Sequence, residues 1–149
     1  MHIDVLIVRD PREAKKKCSL TPLRGLCSLR FVNHNPDRRV AAGPRILLHT
    51  DGDELSERDR GSSLLLVDCA WRRVAAVLAT IDGDLVHRRL PPLVSAYPRA
   101  SKVFEDPAGG LASVEALYAA LALLGDPRPD LLAQYHWREQ FLALNPELG

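Results

Sequence analysis

Residues 67–71, Val-Asp-Cys-Ala-Trp, combine the side chains in this sequence that are best suited to chemistry. Asp68 follows an apolar run of strand length, and Trp71 comes three residues later. A carboxylate in that position can take up a proton, bind a cationic ligand or cap the next helix. Capping is the commonest of these uses, with Trp71 filling the core and Cys69 acting as a small buried residue.

A second segment with chemical potential is the lysine run at residues 15–17, which is followed by the hydroxyl residues Ser19 and Thr21 and by Pro22. Charge runs of this kind are usually solvated surface. Beside hydroxyl groups and a turn, the same residues can also hold phosphates or a ligand carboxylate. Composition alone leaves both interpretations open.

Several familiar catalytic signatures are missing from the sequence. It contains neither GxGxxG nor GxxxxGK followed by Ser or Thr, which argues against an NTPase and an ordinary dinucleotide-binding domain. GxSxG and HExxH are absent too. The histidines are scattered, and each is interpreted as a surface or structural residue. The three cysteines, Cys18, Cys27 and Cys69, form no CxxC pair, so neither a zinc site nor a disulfide framework is indicated.

Length and composition indicate one soluble globular domain in a reducing cytosol. The chain has 149 residues, of which 46% are hydrophobic and 26% charged. We expect no membrane span, because no apolar run approaches twenty residues, and no signal peptide. Residues 1–45 contain ten Lys or Arg and four Asp or Glu, a net charge of +6, whereas the remainder sums to −5. This basic end suits a polyanionic partner.

The elements that must position these residues follow from the hydrophobic periodicity. Alternating or continuous apolar runs predict strands at residues 2–8, 28–33, 45–50 and 63–68, with a turn at 51–53. Residues 90–94 are predicted as a short strand or an extended loop, and 97–110 as irregular. Helices are predicted at 55–61, from about residue 71, at 113–124 with Ser113 as cap and Gly125 as terminator, and at 130–144.

Strands that alternate with helices predict an α/β domain with a mainly parallel sheet. Ligands of such sheets bind beyond the carboxyl ends of the strands. The ligand site is therefore expected near His49, Asp68 and the residues that follow Val94.

Five elements of the chain, in order, resemble a known family. The segments KCS at 17–19, LVDCAW at 66–71, RLPPLVSA at 89–96, LASVEAL at 111–117 and HWREQFLALN at 136–145 resemble elements of the small-subunit ribosomal-RNA aminocarboxypropyltransferases. The resemblance implies a monomer with a SPOUT-like fold and a deep trefoil knot. It also implies transfer of the 3-amino-3-carboxypropyl group from S-adenosylmethionine to a uridine, or modified uridine, of small-subunit ribosomal RNA, without a metal.

The resemblance also assigns roles to single residues. Ser19 would contact the methionine end of S-adenosylmethionine, and Val67 and Leu90 would offer backbone groups. Asp68 and Trp71 would line the amino-acid portion, and Leu111 and Ser113 would border the adenosine pocket. Asp68 would pair with the ammonium group of the donor or, alternatively, act as the base for the uridine; the first role is preferred, since a carboxylate is a weak base for that proton.

RNA is expected along the basic front of the chain. The candidates for phosphate contact are Arg12, Lys15, Lys16, Lys17, Arg88, Arg89, Arg99 and Lys102. The chain departs from the family after Ala96, where Asn-Pro-Val-Asn-Tyr-Gly is replaced by a longer loop containing Tyr97 and Phe104. Either aromatic ring could stack on an unpaired base, although Phe104 could equally anchor the loop.

Two other functions fit the same sequence. The first is a SPOUT-type RNA methyltransferase that uses the same donor. The second is a ribosome-assembly factor that binds RNA without catalysis. The mass of the modified nucleoside and the binding of S-adenosylmethionine distinguish these alternatives.

Overall fold

A five-stranded sheet organises the chain in a computed structural model, which describes residues 2–11, 20, 23, 25–96 and 111–148. Its strands lie in the order β2-β1-β5-β4-β7 and every pairing in it is parallel. They are β1 (Val5–Arg9), β2 (Leu29–Asn33), β4 (Arg45–Glu54), β5 (Leu64–Asp68) and β7 (Leu85–Arg89). A separate parallel pair joins β3 (Val40–Ala41) to β6 (Ile81–Asp82). The predicted α/β class with a mainly parallel sheet is confirmed.

The central strands β1 and β5 are buried along their whole length. Their apolar runs suit strands that are covered on both faces. Val5, Ile7, Leu64 and Leu66 face one core, which contains α2 (Ser113–Leu123). Leu6, Val8, Leu65 and Val67 face the other, which contains Val77 of α1 (Val74–Leu78). By this alternation, Arg9 and Asp68 at the strand ends lie on the α2 side of the sheet.

Helix α1 follows a 3-10 turn at Trp71–Arg73, so the predicted helix begins where expected. Helix α2 ends as predicted. Its last turn leads through Leu124 to Gly125, which has a φ of 96° and so takes the left-handed conformation typical of a residue that terminates a helix. The predicted helix at 55–61 is only a 3-10 turn at Glu57–Asp59, in which the Asp59 carboxylate accepts a hydrogen bond from the Ser56 N–H at 3.1 Å.

Two features near the edge of the sheet differ from the prediction. The predicted turn at 51–53 lies inside β4, which runs on to Glu54 with an irregular register between Leu48 and Asp53. Strand β7 was missed because its sequence, LVHRR, is charged. It occupies the sheet edge and leaves Val86 exposed, and charged residues are common on edge strands.

The single helix predicted at 130–144 is in fact two short pieces, a 3-10 turn at Pro129–Leu132 and α3 (Arg138–Leu144). Leu132 and Phe141 are both buried in the α2-side core. Nine residues of continuous α-helix would turn them to opposite sides, about 180° apart. The break lets both side chains reach the same core. No helix among the described residues is long and apolar enough to cross a membrane.

Candidate functional site

The Asp68 carboxylate, at the end of β5, lies beside the guanidinium of Arg9, at the end of β1. The two residues are register partners, and Arg9 Nε is 3.3 Å from Asp68 Oδ2. Both are buried, with 3% of Arg9 and 9% of Asp68 exposed, and the Arg9 guanidinium lies 5.7 Å from the centre of the Phe31 ring. A buried cation and a buried anion therefore meet where parallel sheets bind their ligands.

Ser113 connects α2 to this pair. Its Oγ donates a hydrogen bond to Asp68 Oδ1 at 3.1 Å. The prediction that Ser113 caps α2 was wrong, because the cap position is Ala112 and Ser113 is the first helical residue. The Ser113 hydroxyl is thus directed at the carboxylate at the end of β5.

The backbone around Asp68 is fixed by the residue after Arg9. The Asp10 N–H donates to the Asp68 carbonyl at 3.0 Å, and the Asp10 carboxylate accepts from Arg73 Nε at 2.6 Å. The Asp10 side chain is 2% exposed. Arg73 closes the 3-10 turn that starts at Trp71, so this ion pair holds the loop after β5 against the end of β1.

Glu115 fastens the segment 90–96 to the start of α2. Its carboxylate is fully buried and accepts hydrogen bonds from Ser95 Oγ at 2.6 Å, the Ala96 N–H at 2.9 Å and the Ala112 N–H at 2.8 Å. Hydrogen bonds to a charged acceptor are stronger than neutral ones. One side chain therefore holds residues 95 and 96 against the start of α2, where Ser113 contacts Asp68.

Asn145 fixes the same segment from the other end of the chain. Its Oδ1 accepts from the Val94 N–H at 2.7 Å, and its Nδ2 donates to the Val94 carbonyl at 2.7 Å and the Phe141 carbonyl at 2.9 Å. Asn145 is 1% exposed. Residues 90–96 form no strand, which agrees with the extended-loop alternative, and these bonds replace the sheet pairing that a strand would have.

The structure brings together some of the residues predicted to bind S-adenosylmethionine. Asp68 and Ser113 are in contact, and Leu90 packs against the core that contains Leu111. Val67 lies in the core on the opposite face of the sheet. Ser19 and the side chain of Trp71 lie outside the described residues, as does the loop with Tyr97 and Phe104.

Only two of the residues predicted to contact RNA lie in the part of the chain that the structure describes. Arg12, Lys15, Lys16, Lys17, Arg99 and Lys102 lie outside the described residues. Arg88 and Arg89 lie on β7. The Arg88 side chain is 16% exposed and pairs with Asp59 at 3.2 Å, whereas that of Arg89 is 50% exposed. Arg89 is therefore the better placed of the two to meet a phosphate.

Sequence reasoning missed Arg9, Asp10, Glu115 and Asn145. The sequence did contain signals, since Arg9 and Asp10 are a charged pair directly after an apolar strand, as Asp68 is. Glu115 is also the one acid in an Ala- and Leu-rich helix. The Val94 partner of Asn145 is 51 residues away, and no local pattern in the sequence indicates it.

The chain matches a known protein family over most of its length. Residues 45–148 match the family model described as "Ribosome biogenesis protein, C-terminal". The chain belongs to this family. The match includes Asp68, Ser113, Glu115 and Asn145, whereas Arg9 and Asp10 precede it.

Three relatives of this chain share one name. The chain is similar to the 16S rRNA aminocarboxypropyltransferases of Vulcanisaeta distributa, 34% identical over 64% of this chain and 50% of the relative, and of Methanosphaera stadtmanae, 33% identical over 69% and 62%. The alignments thus span about half to three fifths of these two relatives. A third, from Methanothermobacter thermautotrophicus, is 28% identical over 90% of this chain and 79% of the relative.

A solved structure agrees with these relatives. The SAM-dependent rRNA:acp-transferase from Vulcanisaeta distributa superimposes with a TM-score of 0.75 at 27% identity, covering 99% of this chain and 80% of that one. The likeness therefore extends to β1 and Arg9, beyond the range of the family model.

Proposed function

We propose that this chain transfers the 3-amino-3-carboxypropyl group from S-adenosylmethionine to a uridine, or modified uridine, of small-subunit ribosomal RNA. The observation that carries the proposal is the contact between Ser113 and Asp68 at the carboxyl end of the sheet, beside a segment that Glu115 fastens. The family and the names of the relatives supply the chemistry.

The residues around Asp68 suit the amino-acid end of the donor. The amino-acid end of S-adenosylmethionine is a zwitterion. It therefore needs an anion for its ammonium group and hydrogen-bond donors for its carboxylate. Asp68 supplies the anion and is held in place by the hydroxyl of Ser113, and the guanidinium of Arg9, which also contacts Asp68, supplies hydrogen-bond donors. We assign Ser19 and Trp71 to the same end, and Leu90, Leu111 and the backbone of Val67 to the remainder of the donor.

The reaction requires the donor to be held with its three-carbon chain, not its methyl group, toward the RNA. The deprotonated uridine nitrogen attacks the carbon of that chain next to sulfur, a nitrogen–carbon bond forms, and the carbon–sulfur bond breaks with its electron pair left on sulfur. The leaving group is neutral methylthioadenosine. Orientation alone decides between this product and a methylated base. A segment pinned at Val94 by Asn145 and at Ala96 by Glu115 is suited to fix that orientation.

Asp68 acts in this proposal as the partner of the donor's ammonium group, with the base for the uridine proton as the alternative. The ion pair with Arg9 and the hydrogen bond from Ser113 both support the first role. Both contacts use the carboxylate oxygens as acceptors and hold the group in place, as a ligand-binding role requires.

The proposed binding of RNA depends on basic residues. We infer that Arg89, with Arg12, Lys15, Lys16, Lys17, Arg99 and Lys102, contacts phosphates, and that Tyr97 or Phe104 in the loop 97–110 helps to select the target base. Arg88 is a weaker candidate, because it is occupied by Asp59. The target nucleotide itself is left open by the proposal.

The proposal also includes a SPOUT-like trefoil knot, a monomeric state and a cytoplasmic location, with residues 1–45 as a basic part and 46–149 as the donor-binding, knotted part of one domain. The placement of β1 and β2 in the same sheet as β4, β5 and β7 supports treating the two parts as a single domain. Sedimentation equilibrium of the pure protein would test the monomer.

Deletion of the coding sequence in its host tests the function. Nucleosides from small-subunit ribosomal RNA and from transfer RNA are compared by mass with those of the parent strain. We expect a uridine derivative heavier by an aminocarboxypropyl group to vanish from the ribosomal RNA. Loss of a methyl group would favour the methyltransferase, and an unchanged nucleoside profile would favour the non-catalytic assembly factor.

A further inference from the structure

A second cluster of reactive side chains lies at the outer edge of the sheet. Asp51 Oδ1 is 2.8 Å from His49 Nδ1 and 2.7 Å from His87 Nδ1. The two imidazole rings are stacked, with centroids 5.1 Å apart and an interplanar angle of 27°. Both histidines therefore direct a ring nitrogen at one carboxylate oxygen.

The backbone brings these three residues together. His49 and Asp51 lie on β4 and His87 on β7, and the two strands pair with Leu47 opposite His87. Gly52 lies so close to β7 that a Cβ atom there would clash with the backbone carbonyl of His87. The Arg89 side chain also donates to the Gly52 carbonyl at 2.9 Å. The irregular stretch of β4 is thus held over β7.

We propose that His49, Asp51 and His87 bind one divalent transition-metal ion of the zinc type, with water completing the coordination. Imidazole nitrogens and a carboxylate oxygen are ligands that such ions accept. The three ligand atoms lie within 4.8 Å of one another, and ligands around tetrahedral zinc are roughly 3.3 Å apart at the usual bond lengths. Small side-chain rotations would admit the ion.

The metal site is separate from the proposed donor site. Asp68 ends β5, whereas the cluster lies on β4 and β7, the last two strands of the sheet. Its side chains are accessible, with 21% of His49, 38% of His87 and 60% of Asp51 exposed. An ion there would cross-link the edge strand to its neighbour and stabilise the folded chain by mass action, without a part in the transfer reaction.

Zinc titration of the metal-stripped full-length protein at pH 7.5 tests the site by calorimetry, with thermal unfolding as a second readout. We expect one zinc ion per chain and a higher melting temperature with zinc. His49→Gln and His87→Gln should each weaken binding at least tenfold and abolish the thermal shift. His136→Gln, an exposed histidine next to Trp137, is the matched control and should bind zinc as the parent does.

Three results would overturn the proposal: no zinc binding by the parent protein, equal affinity in both cluster variants, or a thiolate charge-transfer band on titration with Co²⁺, which would place the ion on cysteine. If either histidine variant fails to fold, as judged by circular dichroism, Asp51→Asn replaces it. We expect the same loss of affinity from this variant, and unchanged affinity would count equally against the site.

Discussion

Ser113 Oγ lies 3.1 Å from Asp68 Oδ1, so the first residue of α2 donates a hydrogen bond to the last residue of β5. These positions are 45 residues apart in the chain. Their contact places the start of α2 at the carboxyl end of the sheet, where Arg9 also meets Asp68.

Asp68→Asn should weaken S-adenosylmethionine binding while leaving the pH dependence of the transfer reaction unchanged. The amide loses the charge that pairs with the ammonium group, and such a charged hydrogen bond contributes about 2 kcal/mol. Calorimetric titration and a pH–rate profile measure the two effects. Normal donor affinity with an altered pH profile would assign Asp68 as the base.

Glu115→Gln should loosen the segment 90–96. The variant must direct an amide NH₂ at Ser95 and Ala112 or at the Ala96 N–H, all of which are donors in the present arrangement. We expect a loss of about 2 kcal/mol in the free energy of unfolding, together with lower donor affinity. Urea unfolding measures the stability. Glu139→Gln, at an exposed glutamate of α3, is the control and should change neither quantity.

Asn145→Asp is a nearly isosteric substitution that tests the hydrogen bonds between Asn145 and Val94. The variant places carboxylate oxygens against the Val94 and Phe141 carbonyls, which now accept hydrogen bonds from Nδ2. We expect a loss of about 2–3 kcal/mol, because both donor bonds disappear and oxygens face each other in a buried site. Unfolding by urea at pH 7 provides the value. Parent-like stability would show that Asn145 does not hold this segment.

The ion pair of Arg128 and Asp130 predicts a stability effect that depends on pH. Hydrogen bonds from the buried Arg128 hold the pKa of the Asp130 carboxyl below its usual range. A depressed pKa in the folded state gives stability that is present above the ordinary pKa, near 4, and is lost as the pH falls through the lower value.

Asp130→Asn should therefore be less stable than the parent by about 1–2 kcal/mol at neutral pH, and the difference should shrink below about pH 4. The partial exposure of Asp130, 47%, keeps the effect below that of a fully buried pair. Asp53→Asn, at an 81% exposed carboxylate, is the control. A difference that persists at low pH would show that the charge is not its cause.

The two neighbouring arginines of β7 should respond differently to neutralisation. Arg89→Gln should weaken RNA binding and flatten the salt dependence of the logarithm of the binding constant by about one unit, as expected for the loss of one phosphate contact. Arg88→Gln should mainly lower stability, since it removes the cationic partner of the buried Asp59 carboxylate. Filter binding of small-subunit RNA at several salt concentrations separates the two. Arg58→Gln, also exposed, is the control for charge alone.

The sequence predicted most of the central sheet and the position of Asp68, because long apolar runs indicate buried strands and the turns after them. It did not predict β7, whose charged residues are typical of an edge. Nor did it predict the break before α3, where the burial of both Leu132 and Phe141 overrides local helix propensity. Arg9, Glu115 and Asn145 act through partners that only the fold brings near, so their roles had to come from the structure.

The most direct test of the account is the identity of the transferred carbon. The purified protein is incubated with small-subunit ribosomal RNA from a deletion strain and with S-adenosylmethionine labelled in either the carboxyl carbon or the methyl carbon. We predict that only the carboxyl label enters the RNA, and that Asp68→Asn reduces the incorporation. Incorporation of the methyl label, or of neither label by a protein that binds the donor, would contradict the proposed transfer.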